Sequence, residues 1–254
     1  ILDGVSNVTI KGFEIKNFDS GIVGQGTGTN NAKIEHNYIH EVGDGVLGST
    51  SGTQALNNWT VSQNLITGFV ESGVNLQNAC NLLISKNKFS NSTPGDSMAI
   101  LVRGQGCGSN SLTVSDVTII NNEIIDFPDR AVNLEAWAEG VSNATVENVE
   151  VVDNTITGSF TGITALKQGG GATLQNFTIT GNSLTINSPK AAGCAVHLAD
   201  VGGVSSFSNN TITINGIIGN GGNEFDGICI SGADTGNWTI TENELDGNNV
   251  GTGS

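Results

Sequence analysis

The sequence predicts an all-β parallel solenoid: one domain over residues 1–254, built of about nine three-faced coils around an asparagine ladder. Three observations predict it. The anchor IxxNxI recurs as Ile34/Asn37/Ile39, Val61/Asn64/Ile66, Ile84/Asn87/Phe89, Ile119/Asn122/Ile124, Val151/Asn154/Ile156, Ile179/Asn182/Leu184, Phe207/Asn210/Ile212 and Ile240/Asn243/Leu245, a period of 20 to 50 residues that marks stacked repeats. Beyond each anchor, apolar residues alternate with a period of two, as at Val132 and Leu134, which reads as a short strand. No window carries the i, i+3, i+4, i+7 apolar spacing of a substantial helix.

The stretch 117–137, VTIINNEIIDFPDRAVNLEAW, is one full unit. Its two anchor apolars point inward from two short strands, the asparagine turns the corner between them, and Val132 and Leu134 supply a third strand. Strands that return in the same direction after each turn stack in parallel, with inward positions forming apolar columns. Amides in stacked turns hydrogen-bond one another, so the asparagine column is structural. A leading copy over 7–26 has Phe13 in the asparagine position, between Ile10 and Ile15. The next two coils, 31–49 and 58–80, are compact scaffold, and His36 and His40 on them are solvated surface histidines rather than a metal pair. Insertions then enlarge the coils at 92–97, 104–114, 136–146, 187–193 and 215–225, on both sides of the third strand. Long loops on a regular solenoid gather around a binding face, so that strand is expected to floor a groove.

The NVTIKGFEI opening at 7–15 and the IxxNxI coils after it resemble the right-handed parallel β-helix proteins of the pectin-lyase-like superfamily. The resemblance implies a right-handed solenoid and, because the scaffold carries lyases, hydrolases, epimerases, tailspikes and adhesins, leaves the activity open. It also implies a polysaccharide or other glycan as partner. The ordered sequence blocks of alginate epimerases, pectate lyases and polygalacturonases do not occur here.

Composition narrows the partners. The net charge is −15 with only 9 lysines and arginines, which argues against nucleic acid, because phosphate binding needs a basic face. The same acidity means that a polyanionic glycan would need a local basic patch or bridging cations; calcium would serve as such a bridge, and no resident metal or cofactor is expected. No run reaches the 18 apolar residues of a membrane span. A chain that opens at Ile1 inside a coil is expected to be a processed or trimmed product, and uncapped end coils would allow end-to-end assembly or a homo-oligomer. Four cysteines suggest an extracellular or cell-surface setting. Offsets just beyond the third strands of neighbouring coils point to a Cys80–Cys107 disulfide, with Cys194 and Cys229 on opposite sides of the wall as free thiols.

The outward positions of the third strand gather the scarce residue types. Arg103, Glu135, Lys167 and His197 are the candidate catalytic set; Asn75, Gln77, Arg130, Asn133, Trp137, Asp200 and Asp226 are the candidate substrate contacts. In a lyase, Lys167 or His197 would take the proton beside a uronate carboxyl while Arg103 neutralises that carboxyl. In a hydrolase, Glu135 with Asp200 or Asp226 would form the carboxylate pair. The contrasting expectation is a non-catalytic surface or adhesive protein.

Overall fold

The computed structural model describes residues 1–26, 28–48, 56–91, 97–106, 112–127, 129–138, 143–158, 160–187, 193–215, 225–232 and 236–248. Every described element is a strand, and every described pairing is parallel. The chain winds into a solenoid of about seven turns. That is slightly fewer than the nine coils expected. The first strands of the coils stack in one sheet, from Thr9–Lys11 to Asn237–Thr241. Second and third strands share the other sheet, since in the first three coils they run on as single bent strands, Glu14–Gln25, Tyr38–Gly48 and Leu65–Gln77. Inward residues such as Ile34, Val61, Ile84, Ile119 and Val151 are wholly buried in one continuous core.

The asparagine ladder forms, with one refinement of how the corner is made. The left-handed residue is the one before the ladder asparagine: His36, Gln63, Lys86, Asn121, Asp153, Asn209 and Glu242 have φ between 51° and 57°, and glycine serves at 12 and 181. Turning the chain there aims the following asparagine inward. Asn122 is 1% exposed; its Oδ1 accepts from the Asn87 N–H at 3.0 Å and from Asn87 Nδ2 at 3.1 Å. Its own Nδ2 donates to Asn154 Oδ1 at 3.0 Å and to the Ile84 carbonyl at 2.9 Å. The same pattern holds from Asn37 to Asn243. At the leading coil the Phe13 N–H still donates to Asn37 Oδ1, at 3.1 Å. A shorter external ladder sits at another corner, where Asn7, Asn31, Asn58, Asp116, Asn148 and Asn176 also have positive φ and neighbours such as Asn58 and Asn31 bond side chain to side chain at 2.9 Å.

A second constraint shapes the third strand. The position just before its first inward apolar residue is always small: Gly45, Gly73, Ala99, Ala131, Gly162, Ala195 and Gly227. The strand bends there, and at Gly73 a Cβ would lie 2.7 Å from both the Ala99 carbonyl oxygen and Phe89 Cδ1. The bend breaks strict alternation, so residues on either side of it both face outward and converge.

Asn122→Leu strands two buried donors of Asn87 and the Ile84 carbonyl, each worth about 1–3 kcal/mol when unmet. We expect a loss of at least about 3 kcal/mol in chemical denaturation; an unchanged denaturation midpoint would mean the ladder contributes nothing to stability.

Candidate functional site

On the outer face the bend creates three columns of side chains, fixed by the parallel register. Before the bend stand Asp44, Ser72, Met98, Arg130, Thr161, Cys194 and Asp226; after it stand Leu47, Asn75, Leu101, Asn133, Thr164, His197 and Cys229; two residues further on stand Gln77, Arg103, Glu135 and Leu166. The first two columns meet diagonally at three places, where a residue before the bend reaches the residue after the bend on the next coil. Asp44 is hydrogen-bonded by Asn75, Asn133 Nδ2 donates to Met98 Sδ at 3.4 Å, and Cys194 is joined to Cys229.

The third column holds the charged pair. Arg103 Nη2 lies 2.7 Å and Nε 2.8 Å from Glu135 Oε2, and the Arg103 guanidinium stacks 4.9 Å from the Trp137 ring centre. Gln168 Nε2 donates to the other oxygen, Glu135 Oε1, at 2.5 Å. With side-chain exposures of 18% for Arg103 and 4% for Glu135, this is a nearly buried, mutually neutralised pair, so removal of one partner would strand the other.

The remaining expected site residues are dispersed. Lys167 falls in register with Ala136, out of phase with the Glu135 column, and is half-buried. His197 lies in the middle column, half-buried, between Thr164 and Cys229. Arg130 is half-buried between Met98 and Thr161. Gln77 donates to Asn75 Oδ1 at 3.2 Å. Asp200 is a corner residue with φ 55° whose N–H donates to the Ser231 carbonyl, and Asp226 is exposed beside the disulfide. Asn133 Oδ1 and Thr164 Oγ1, on adjacent coils, are buried with no hydrogen-bond partner. Of the five inserted segments, residues 92–96, 107–111, 139–142, 188–192 and 216–224 lie outside the described residues.

Asp44 is the residue that sequence reading missed. Counting forward from the first inward apolar residue passes it over, yet the offset that selects Arg130 and Asp226, two residues before that apolar residue, selects Asp44 in the second coil. It is 5% exposed, with Oδ1 unpartnered. Burial, reinforced by the nearby Glu71 carboxylate, pushes its pKa up to about 6 against the pull of hydrogen bonds from Asn75 and Ser72. Register slips between Val42/Asp44 and Phe69/Ser72, so the third coil carries one extra residue beside Glu71, the mark of a bulge that re-aims a side chain.

The cysteine expectation is overturned. Cys194 and Cys229 form the disulfide, Cα to Cα 5.9 Å, because the bend at Ala195 and Gly227 places both outward in converging columns instead of on opposite sides of the wall. Cys80 is a free thiol. It lies just past the third strand Leu65–Gln77, in the first strand of the next coil, Ala79–Ser85, between Asn57 and Ser115 in register; Cys107 lies outside the described residues.

Comparison with known proteins gives a family and nothing finer. Residues 1–184 match a family model described as right handed beta helix region. No curated protein matches the chain. Among the described residues no helix is long and apolar enough to cross a membrane.

Two measurements check this geometry. Non-reducing peptide mapping should recover Cys194 linked to Cys229 with Cys80 open to alkylation, and reduction should lower stability by up to about 4 kcal/mol on the chain-entropy scale for a loop of this size. For Asp44 the folded pKa lies above the ordinary value, so its contribution to stability is full below about pH 4 and is lost as pH rises through about 6. Asp44→Asn should therefore melt close to the wild type at pH 4 and above it at pH 8, and a difference that does not grow with pH would refute the buried-charge account.

Proposed function

This chain belongs to the right-handed β-helix family, and on that premise we propose that it binds or acts on an extracellular polysaccharide laid along the outer face of its third-strand stack. The observation that carries the reading is the pair of half-buried side chains His197 and Trp137 on that face, the first able to hydrogen-bond and the second to stack on a sugar ring, beside a column in which Asn75, Asn133 and Thr164 are buried and Leu101 is apolar. Neighbouring coils stand about 4.8 Å apart, so accessible side chains on this face recur at regular intervals along an extended chain. The disulfide supports an oxidising, extracellular or cell-surface setting.

Binding without turnover is the form of the reading that the site favours over catalysis. Arg103, assigned to neutralise a uronate carboxyl in a lyase, is already held by Glu135, and a polyuronate would have to compete with that contact. Lys167 and His197 would remain as candidate bases. For hydrolysis, Glu135 and Asp226 lie three coils apart, about 14 Å at the spacing of stacked strands, beyond the roughly 5–9.5 Å between paired carboxyls of glycosidases. Calcium, if a polyanionic chain were the ligand, would serve as the bridging ion.

A panel of neutral and acidic polysaccharides, read by affinity electrophoresis together with reducing ends and absorbance of unsaturated product, tests the proposal. We expect retention by at least one glycan, weakened about tenfold or more by Trp137→Ala and by His197→Ala, each with an unchanged melting temperature. Arg103→Ala is a poor probe here, since it would leave Glu135 buried and unpaired at a cost of about 3–5 kcal/mol. Failure of every glycan to bind, with discrete oligomers in solution, would replace this reading by an assembly or adhesive one.

A further inference from the structure

The disulfide has a neighbour that a disulfide does not need. Asp226 Oδ2 lies 3.8 Å from Cys229 Sγ, and the sulfur of a disulfide carries no proton to donate to a carboxylate. Together the ligand atoms of Cys194, Cys229 and Asp226 lie within 4.8 Å of one another. Donors around a tetrahedral zinc ion, bound at about 2.0–2.3 Å, stand roughly 3–4 Å apart, so the three are already close to a coordination set. We propose that this cluster is a redox-gated site for a thiophilic divalent cation of the zinc type, closed as the disulfide and open as two thiolates plus the Asp226 carboxylate.

The fold makes the two states interchangeable without rebuilding the backbone. Cys194 pairs in register with Asp226, and His197 with Cys229, so all the donors hang from two adjacent, hydrogen-bonded strands whose spacing does not depend on the S–S bond. The bend at Ala195 and Gly227 is what turns both sulfurs to the same side. Cys194 is buried at 8% exposure, Cys229 is half-buried and Asp226 is exposed; a reductant and a cation both have a route in from the Asp226 side. His197, one coil away from Cys229 and in its column, is the nearest imidazole for the remaining position, which water fills otherwise.

The gating step balances with a dithiol as reductant. The dithiol gives two electrons and two protons, its own sulfurs joining, while the Cys194–Cys229 bond opens to two thiols. Cation binding then releases those two protons as the thiolates coordinate. A carboxylate as third ligand suits zinc, which accepts sulfur, nitrogen and oxygen donors alike. This inference stands independently of the glycan reading.

Cobalt(II) reports the site directly, because thiolate ligands give it an intense charge-transfer band. The full chain, reduced with dithiothreitol and desalted without oxygen, should take up one equivalent of Co²⁺ with that band, and Zn²⁺ should displace it; the oxidised chain should show no band. Asp226→Asn, a conservative change at an exposed position, should weaken Co²⁺ binding at least tenfold. The Cys80→Ser/Cys107→Ser double variant should bind as the wild type does. A reduced wild type without the thiolate band, equal binding by the oxidised chain, or a band that survives Cys194→Ser and vanishes in the double variant would each overturn the proposal.

Discussion

Everything in this molecule hangs on one amide per coil. A single-residue corner in left-handed conformation would cost about 1–2 kcal/mol for a non-glycine residue, yet His36, Gln63, Lys86 and Glu242 occupy it. The next residue holds that conformation in place. It is an asparagine whose oxygen accepts two hydrogen bonds from the coil before, and whose nitrogen donates to the coil after and to a carbonyl that the turn would otherwise leave bare. Stacking therefore offsets locally strained backbone with buried hydrogen bonds, and each coil templates its neighbour.

The same logic of stacking fixes the functional face. Because each rung is hydrogen-bonded in register, a side chain's column is set by its offset from the bend, and the bend is set by a small residue against which the neighbouring coil packs. Outer-face chemistry can then vary freely along a column. One diagonal position carries the Asp44–Asn75 contact, another Met98–Asn133 and a third Cys194–Cys229. A carboxylate with a raised pKa, a sulfur–amide contact and a disulfide are thus variants of one geometric slot. The ion pair of Arg103 and Glu135 belongs to the next column, where Trp137 and Gln168 close over it.

Burial, more than residue type, separates the candidate groups. Arg103 and Glu135 look like catalytic charges when judged by residue type alone, but at 2.7 Å and 4% carboxylate exposure they answer each other. Asn133 and Thr164 look like ordinary strand polars, but their buried oxygens, like Asp44 Oδ1 and Trp238 Nε1, have no hydrogen-bond partner. Unmet buried polar atoms are uncommon in native folds and call for a physical account.

The fold, the ladder and the core columns were legible in the sequence, because stacked identical turns demand the same residue at the same offset: an asparagine that can both accept and donate, and apolar residues at alternating positions around it. Most outward columns were legible too, since alternation holds on each side of the bend. What alternation could not deliver was the bend itself. A single small residue, Gly45 or Ala195, reads by alternation as one more outward position beside the inward Val46 or Val196, whereas in three dimensions it too is buried and brings residues three apart onto one side. For that reason only the tertiary structure could join Cys194 to Cys229 and bring Asp44 against Asn75. Which charges are spent on each other, as Arg103 and Glu135 are, is likewise decided by distance and burial between coils, and neither is written in the order of residues along one chain.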